Sequence, residues 1–438
     1  MNVDHINEAL FRGELDRPGV LPHVRALGDA PFVFRQSFGL DSLPEEPGVI
    51  LVRGARQYGK STWLERQIAE TIEQYGPGTA FYLNGDVLRD ADTLSEAIRA
   101  LVPLFAAEAP VRRLFIDEIT AVDGWERGLK RVIDAGEVRR VLVVTTGSKA
   151  TDLRRGSERL PGRKGRLDRT SYLFTPVMYA EFRRLCGEQL GAQTLPAYML
   201  AGGCPVALSE IARHGRLPEY VLEMVRDWIH GEVAASGRQR SSLLAVMECL
   251  MQRGGTPVGQ ARLAREAGLA NNTVAAGYIE LLADLTCVGI AQAWDASRRV
   301  RLTRRPAKFP FINLLAAAAW HPARPRSADA FALLEPEEQG RWCEWLVAQE
   351  LWRRAAVRGD DSPEQLLFWG SKQHELDFVC PPATFVEVKR GRTGPLELGW
   401  FPKVFPDGRL LVVGGDRFET DRIRGLTLED FLLDDSVG

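Results

Sequence analysis

Four short apolar runs punctuate the first 175 positions: Val49-Ile50-Leu51-Val52, Ala80-Phe81-Tyr82-Leu83, Leu114-Phe115-Ile116 and Val141-Leu142-Val143-Val144. Each has the length of a strand buried on both faces, and the stretches between them, such as 62–75 and 92–104, carry apolar residues at helical spacing. Alternating β and α elements predict an α/β fold with a parallel sheet covered by helices on both faces. From Pro176 the pattern turns mainly helical, with helices expected over 177–186, 195–201 and 218–234 before a break at Ala235-Ser236-Gly237. The stretch 241–303 reads as three helical segments and a pair of strands. Prolines 306, 310, 322 and 325 then mark a connector, because residues that break helices at that density suit a linker. The last hundred residues open with a helix over 340–354. Short strands follow at 365–369, 375–380, 385–389 and 410–413, predicting a second α/β module.

A chain of 438 residues exceeds one ordinary core, so several domains are expected. Its 45% hydrophobic and 26% charged content is that of a globular protein. The net charge of −2 gives no global attraction to nucleic acid, so any such surface must be local. Six cysteines at positions 186, 204, 249, 287, 343 and 380 form no C-x-x-C pair, which suits reduced thiols. Asp4, His5, Asn7 and Glu8 interrupt the first apolar residues, unlike a signal peptide, and no run approaches the roughly 18 apolar residues of a membrane span. The expectation is a cytoplasmic protein.

Gly54-Ala55-Arg56-Gln57-Tyr58-Gly59-Lys60-Ser61, followed by Thr62, satisfies G-x-x-x-x-G-K-[ST] between an apolar strand and a helical pattern. Glycines let the backbone curl so that several N–H groups point at phosphate oxygens. Lys60 supplies a cation for the β/γ-phosphates and Ser61 a hydroxyl for Mg²⁺, while the helix that follows aims its positive end at the same anion. The expected cofactors are therefore ATP and Mg²⁺. The run ending in Asp117-Glu118 places two acids at the carboxyl end of a buried strand, where ligands sit in a parallel sheet. Asp117 suits Mg²⁺ through water and Glu118 suits polarising the attacking water; outside this context such a pair also serves as a helix cap. Val141 to Ser148 runs into Thr145-Thr146-Gly147-Ser148, so Thr146 or Ser148 can place a hydroxyl beside the γ-phosphate, although turn chemistry selects the same residues.

These motifs, with Pro176-Val177-Met178-Tyr179-Ala180-Glu181-Phe182 and the Gly202-Gly203-Cys204-Pro205 turn, resemble a prokaryotic family of AAA+-type P-loop ATPases. Members of that family carry a C-terminal restriction-endonuclease-like domain. The resemblance implies a homo-oligomer with a subunit-shared ATP site, reached by an arginine from a neighbour. Candidates lie in the basic stretch 153–166, which otherwise reads as a solvated loop; Arg163 and Arg166, each directly after a glycine, are preferred.

Farther on, a helix over 258–268, a turn at Leu269-Ala270-Asn271-Asn272 and a second helix over 273–285 suggest a helix-turn-helix. Strands over 287–294 and 299–303 would form a β-wing, and the family likeness supports a winged helix. The second helix bears no Arg or Lys, whereas 298–305 is strongly basic, so DNA contact and protein scaffolding both stay open. In the last module, Glu387 and Lys389 share a strand face, with Val386 and Val388 assigned to the core. Asp377 on a neighbouring strand and Glu344 on the preceding helix can join them, and two carboxylates can hold Mg²⁺ beside an ammonium. Glu350 is an alternative to Glu344, but it lies about 120° around the helix, so only one can face the site. The set resembles the D-x(n)-[DE]-x-K core of restriction and junction-resolving nucleases, though Leu376 stands where that pattern has proline.

The resulting organisation is an ATPase core with an N-terminal extension (1–185), a helical lid (186–236), a winged-helix-like domain (237–310), a linker (311–329) and a restriction-endonuclease-like domain (330–438). Three functions are compatible: an ATPase that remodels or senses a DNA or protein partner, an ATP-gated metal-dependent endonuclease, and a nucleotide-switched binding protein with weak turnover.

Overall fold

The computed structural model describes residues 3–148, 160, 162–360, 362 and 364–434. The chain divides into two compact units, one of Met1–Val33 and Ser37–Thr175, the other of Phe34–Gln36 and Pro176–Gly438.

In the first unit the four apolar runs become strands β1 (Gly48–Arg53), β2 (Ala80–Asn84), β3 (Arg113–Asp117) and β4 (Leu142–Gly147), joined by β5 (Ser171–Leu173). All pair in parallel in the order β2-β3-β4-β1-β5. Alternate residues of each strand share a face. Val49, Leu51, Phe81, Leu83, Leu114, Ile116 and Val143 accordingly pack in one core with Leu94, Ile98, Leu129 and Val132 of helices Ala91–Leu101 and Trp125–Asp134. At the β2 edge, the Asn7 side chain from helix Val3–Arg12 donates to the Tyr82 carbonyl at 2.8 Å and accepts from its amide at 2.7 Å. That side chain satisfies an edge peptide that would otherwise invite another strand.

The second unit holds two sheets. One has the order β10-β11-β12-β14-β13, built from β10 (Phe378–Cys380), β11 (Thr384–Val388), β12 (Arg409–Gly414), β13 (Phe418–Glu419) and β14 (Ile423–Thr427). The other runs β7-β6-β8-β9, from β6 (Gln292–Asp295), β7 (Val300–Leu302), β8 (Leu367–Gly370) and β9 (Glu375–Leu376). Helices Gln260–Glu266 and Asn272–Asp284 flank a turn in which Gly268 has φ 63° and Asn271 Oδ1 accepts from the Val274 amide at 3.0 Å. The strand pair after them is not a free wing, because β6 pairs in parallel with β8, a strand of the last hundred residues.

The stretch 311–329 also departs from the linker that its prolines suggest. It contains helix Leu314–Trp320, in which Leu314 to Ala319 are buried, and Asn313 Oδ1 caps it by accepting from the Ala316 amide at 3.1 Å. Pro310 and Pro322 flank this helix instead of interrupting it, and small alanines allow close packing. A Cβ on Gly202, which has φ 58°, would lie 2.6 Å from the Leu315 amide nitrogen. Among the described residues no helix is long and apolar enough to cross a membrane.

Candidate nucleotide site

Strand β1 leads into a loop whose backbone turns left-handed at Gln57 (φ 65°) and Gly59 (φ 95°), and helix Lys60–Tyr75 starts directly after it. Glycine is required at the loop's first position by proximity: a Cβ on Gly54 would lie 2.8 Å from the Phe174 carbonyl oxygen. No side chain caps the helix N-terminus, so its first N–H groups stay available to an anion. Ala55 and Tyr58 are buried, Arg56 and Gln57 exposed, and Ser61 and Thr62 partly exposed on the first helical turn. The buried Lys60 ammonium donates to the carbonyls of Gly54 at 2.9 Å and Ala55 at 2.8 Å. Burial lowers its pKa to about 8, against the opposing pull of Glu118 and Asp117.

The register Val52↔Thr146, with Ile116 and Leu51 both opposite Thr145, brings the ends of β1, β3 and β4 to one edge of the sheet. There the Thr146 hydroxyl donates to Asp117 Oδ1. The Glu118 amide is shared between Asp117 Oδ1 and Thr146 Oγ1, both at 3.1 Å. Glu118 itself is left-handed (φ 47°), and its Oε1 accepts from Thr120 Oγ1 at 2.5 Å and from both the amide and hydroxyl of Ser148 at 2.9 Å. Ser148 Oγ in turn accepts from Arg56 Nε at 3.3 Å. Burial pushes the Glu118 carboxyl upward, but the Thr120 and Ser148 hydrogen bonds and the Lys60 charge outweigh it and hold the group below the usual range. It is therefore ionised at neutral pH.

Two positions at this edge are not apparent in the sequence. Asn84 of β2 pairs with Asp117, so the next residue, Gly85, passes against the Asp117-Glu118 backbone. A Cβ there would lie 2.3 Å from the Glu118 carbonyl oxygen. Asp86 follows, its carboxyl raised by burial and by the charges of Glu118 and Asp117. In the sequence, Asn84-Gly85-Asp86 reads only as a turn. Gly85→Ala should force the β3 end to shift, costing about 1–3 kcal/mol of stability as overpacking does; urea unfolding of both chains would measure it, and an unchanged midpoint would mean that the loop simply relaxes.

Arg163 reaches Asp134 through Nε at 2.7 Å and Nη2 at 3.3 Å, while Arg166 is exposed. Arg154, Arg155 and Arg159 of the same basic stretch lie outside the described residues.

The remaining candidates meet in the second unit. Asp377 falls where the expected strand 375–380 divides: β9 pairs with β8, β10 pairs with β11, and Asp377 Oδ2 accepts the Val388 amide at 2.9 Å. Lys389 Nζ lies 2.5 Å from Glu387 Oε1. Val386 is buried and Glu387 meets Lys389 on one face as expected, but Phe385 on that same face joins the hydrophobic core and Val388 is only partly buried, so the strand has no separate charged face. Both faces of β11 are covered, and Glu387 is buried among them. Glu344 and Asp377 converge on Lys308, a residue that the sequence does not single out, at 3.5 and 3.1 Å. Glu350 faces elsewhere, buried against Arg353 at 2.7 Å and Arg354 at 2.6 Å.

No curated protein matches the chain. Among solved structures it is similar to a Walker-type ATPase of Pyrococcus abyssi (13% identity, TM-score 0.43, 68% of this chain and 94% of that one). It is also similar to the Aeropyrum pernix ORC1 protein in complex with DNA (15%, 0.34, 71% and 95%) and to a Thermotoga maritima RuvB variant (15%, 0.32, 60% and 84%). Residues 46–183, which hold the loop, Lys60, Asp117, Glu118, Thr146 and Ser148, match the family model of the AAA domain. This part of the chain is an AAA domain.

Proposed function

We propose that the chain binds ATP with Mg²⁺ on Gly54 to Thr62, hydrolyses it, and couples that cycle to a DNA or protein partner. The observation that carries this reading is the convergence of a buried ammonium, an ionised Glu118 and the Asp117–Thr146 pair at the open edge of one parallel sheet. Lys60 donates to its own loop carbonyls. A phosphate is the stronger acceptor for an ammonium, so bound nucleotide draws Lys60 off those carbonyls. Ser61 and Asp117 are the residues that would hold Mg²⁺, which is bound mainly by phosphates and water and needs few protein ligands; the ion supplies neutralising charge. Glu118, acting as base, orients the attacking water, and Ser148 ties its position to Arg56 in the phosphate loop.

The arginine that completes such a site comes, in this reading, from a second copy of the chain, with Arg166 preferred because it is exposed whereas Arg163 is engaged with Asp134. ATPase activity per chain should then rise with protein concentration. Mixing inactive Lys60→Ala with inactive Arg166→Ala chains should restore part of it, because intact halves meet at one interface. Turnover that is independent of concentration, with no rescue on mixing, would remove the shared finger. For the partner, the basic run around β7, Arg298 to Arg305, supports a DNA or other polyanionic surface. Identifying what co-purifies with Glu118→Gln, which should hold ATP without turning it over, tests the coupling; recovery of neither nucleic acid nor protein would leave hydrolysis uncoupled.

A further inference from the structure

Two of the C-terminal carboxylates that a metal-dependent nuclease would use, Glu344 and Asp377, already face a cation. Lys308 lies between β7 and helix Leu314–Trp320, its backbone fixed by hydrogen bonds in both directions with Ala291 at 2.9 Å. Its side chain is 1% exposed. The ammonium lies 2.7 Å from Glu375 Oε1, 3.1 Å from Asp377 Oδ1 and 3.5 Å from Glu344 Oε1, so three carboxylates face one positive charge. The other oxygen of Asp377 is taken by the Val388 amide, and Glu387 Oε1 by Lys389.

We infer that Lys308 is the resident cation of this cluster and that, while it stays, the cluster takes no divalent metal. An ammonium and a divalent ion cannot share Asp377 Oδ1 at ligand distance without strong repulsion, and a buried lysine must keep its counter-charges. The donor set agrees: among the described residues no group of three or more His, Cys, Asp or Glu is arranged to hold a metal. The cluster therefore joins β8–β9, helix Pro336–Arg358 and the 308 segment as a salt-linked joint, and the C-terminal module serves as a platform without metal-assisted phosphodiester cleavage.

The test is a Mn²⁺ titration of the nucleotide-free full chain, with free Mn²⁺ read by electron paramagnetic resonance. The binding curve of the parent should be unchanged by Asp377→Asn. Lys308→Met, which leaves four carboxylates with one lysine, should gain a Mn²⁺ site at least about tenfold tighter than any in the parent. Adding Asp377→Asn to that variant should remove it. A parent chain that loses a Mn²⁺ site on Asp377→Asn, or a folded Lys308→Met that gains none, overturns the inference. Should Asp377→Asn fail to fold, Glu387→Gln replaces it in the parent comparison, with the same two readings. That comparison decides the matter even if Lys308→Met is unstable.

Discussion

Replacing Lys60 by alanine should abolish nucleotide binding in the micromolar range. The variant removes the ammonium buried at the start of helix Lys60–Tyr75, and each charge-assisted hydrogen bond to a phosphate is worth about 1.5–3 kcal/mol, so affinity should fall by about two orders of magnitude or more. Isothermal titration with ATP gives the answer directly, and an unchanged dissociation constant would place the phosphates elsewhere. The same residue sets a pH dependence. Burial brings the Lys60 ammonium down to about 8, whereas phosphates favour the charged form. Binding then takes up a proton above that pH, and affinity should weaken by up to tenfold per unit as pH rises past about 8. Below about 7 the lysine is already protonated and this contribution flattens.

Glu118→Gln should leave ATP binding intact while slowing hydrolysis by about tenfold to a thousandfold, the range in which a positioned base contributes. The substitution is nearly isosteric, and its amide oxygen can still accept from the Ser148 amide and hydroxyl, so the loop geometry around φ 47° should persist. What disappears is the negative charge that Thr120, Ser148 and Lys60 together keep ionised. Phosphate release under saturating Mg-ATP measures the loss, and a variant that turns over at the parent rate would move the base to another residue, with Asp86 next in line at the same edge.

Much of the first unit was legible because its signals are local. A buried parallel strand is a contiguous apolar run, and the phosphate loop needs its glycines, lysine and hydroxyl within one turn of chain, so β1 to β4 and Gly54 to Thr62 stand out directly. Strand order does not stand out, because nothing in the periodicity of β1 says that β4 and β5 flank it. Gly85 is constrained by a carbonyl from β3, a contact with no sequence signature. In the second unit the decisive contacts are long-range. Lys308 meets Asp377 across 69 positions, and β6 finds its parallel partner β8 on the far side of helix Pro336–Arg358. The prolines around Leu314–Trp320 suggested a linker because density alone does not show whether a proline interrupts a helix or delimits one. The divided strand at Asp377 looks continuous in the sequence, since a residue that carries the chain from one sheet to another keeps the strand pattern on both sides.

In the proposed function, the edge formed by the Gly54 loop, Asp117 and Glu118 binds and hydrolyses ATP. A single-turnover experiment tests it most directly: parent and Glu118→Gln chains are loaded with a substoichiometric amount of radiolabelled Mg-ATP, and bound nucleotide is separated and resolved over time. The parent should convert its bound ATP to ADP, Glu118→Gln should retain it as ATP, and Lys60→Ala should capture none. A parent chain that captures no ATP, or a Glu118→Gln chain that converts it as fast as the parent, would contradict the account.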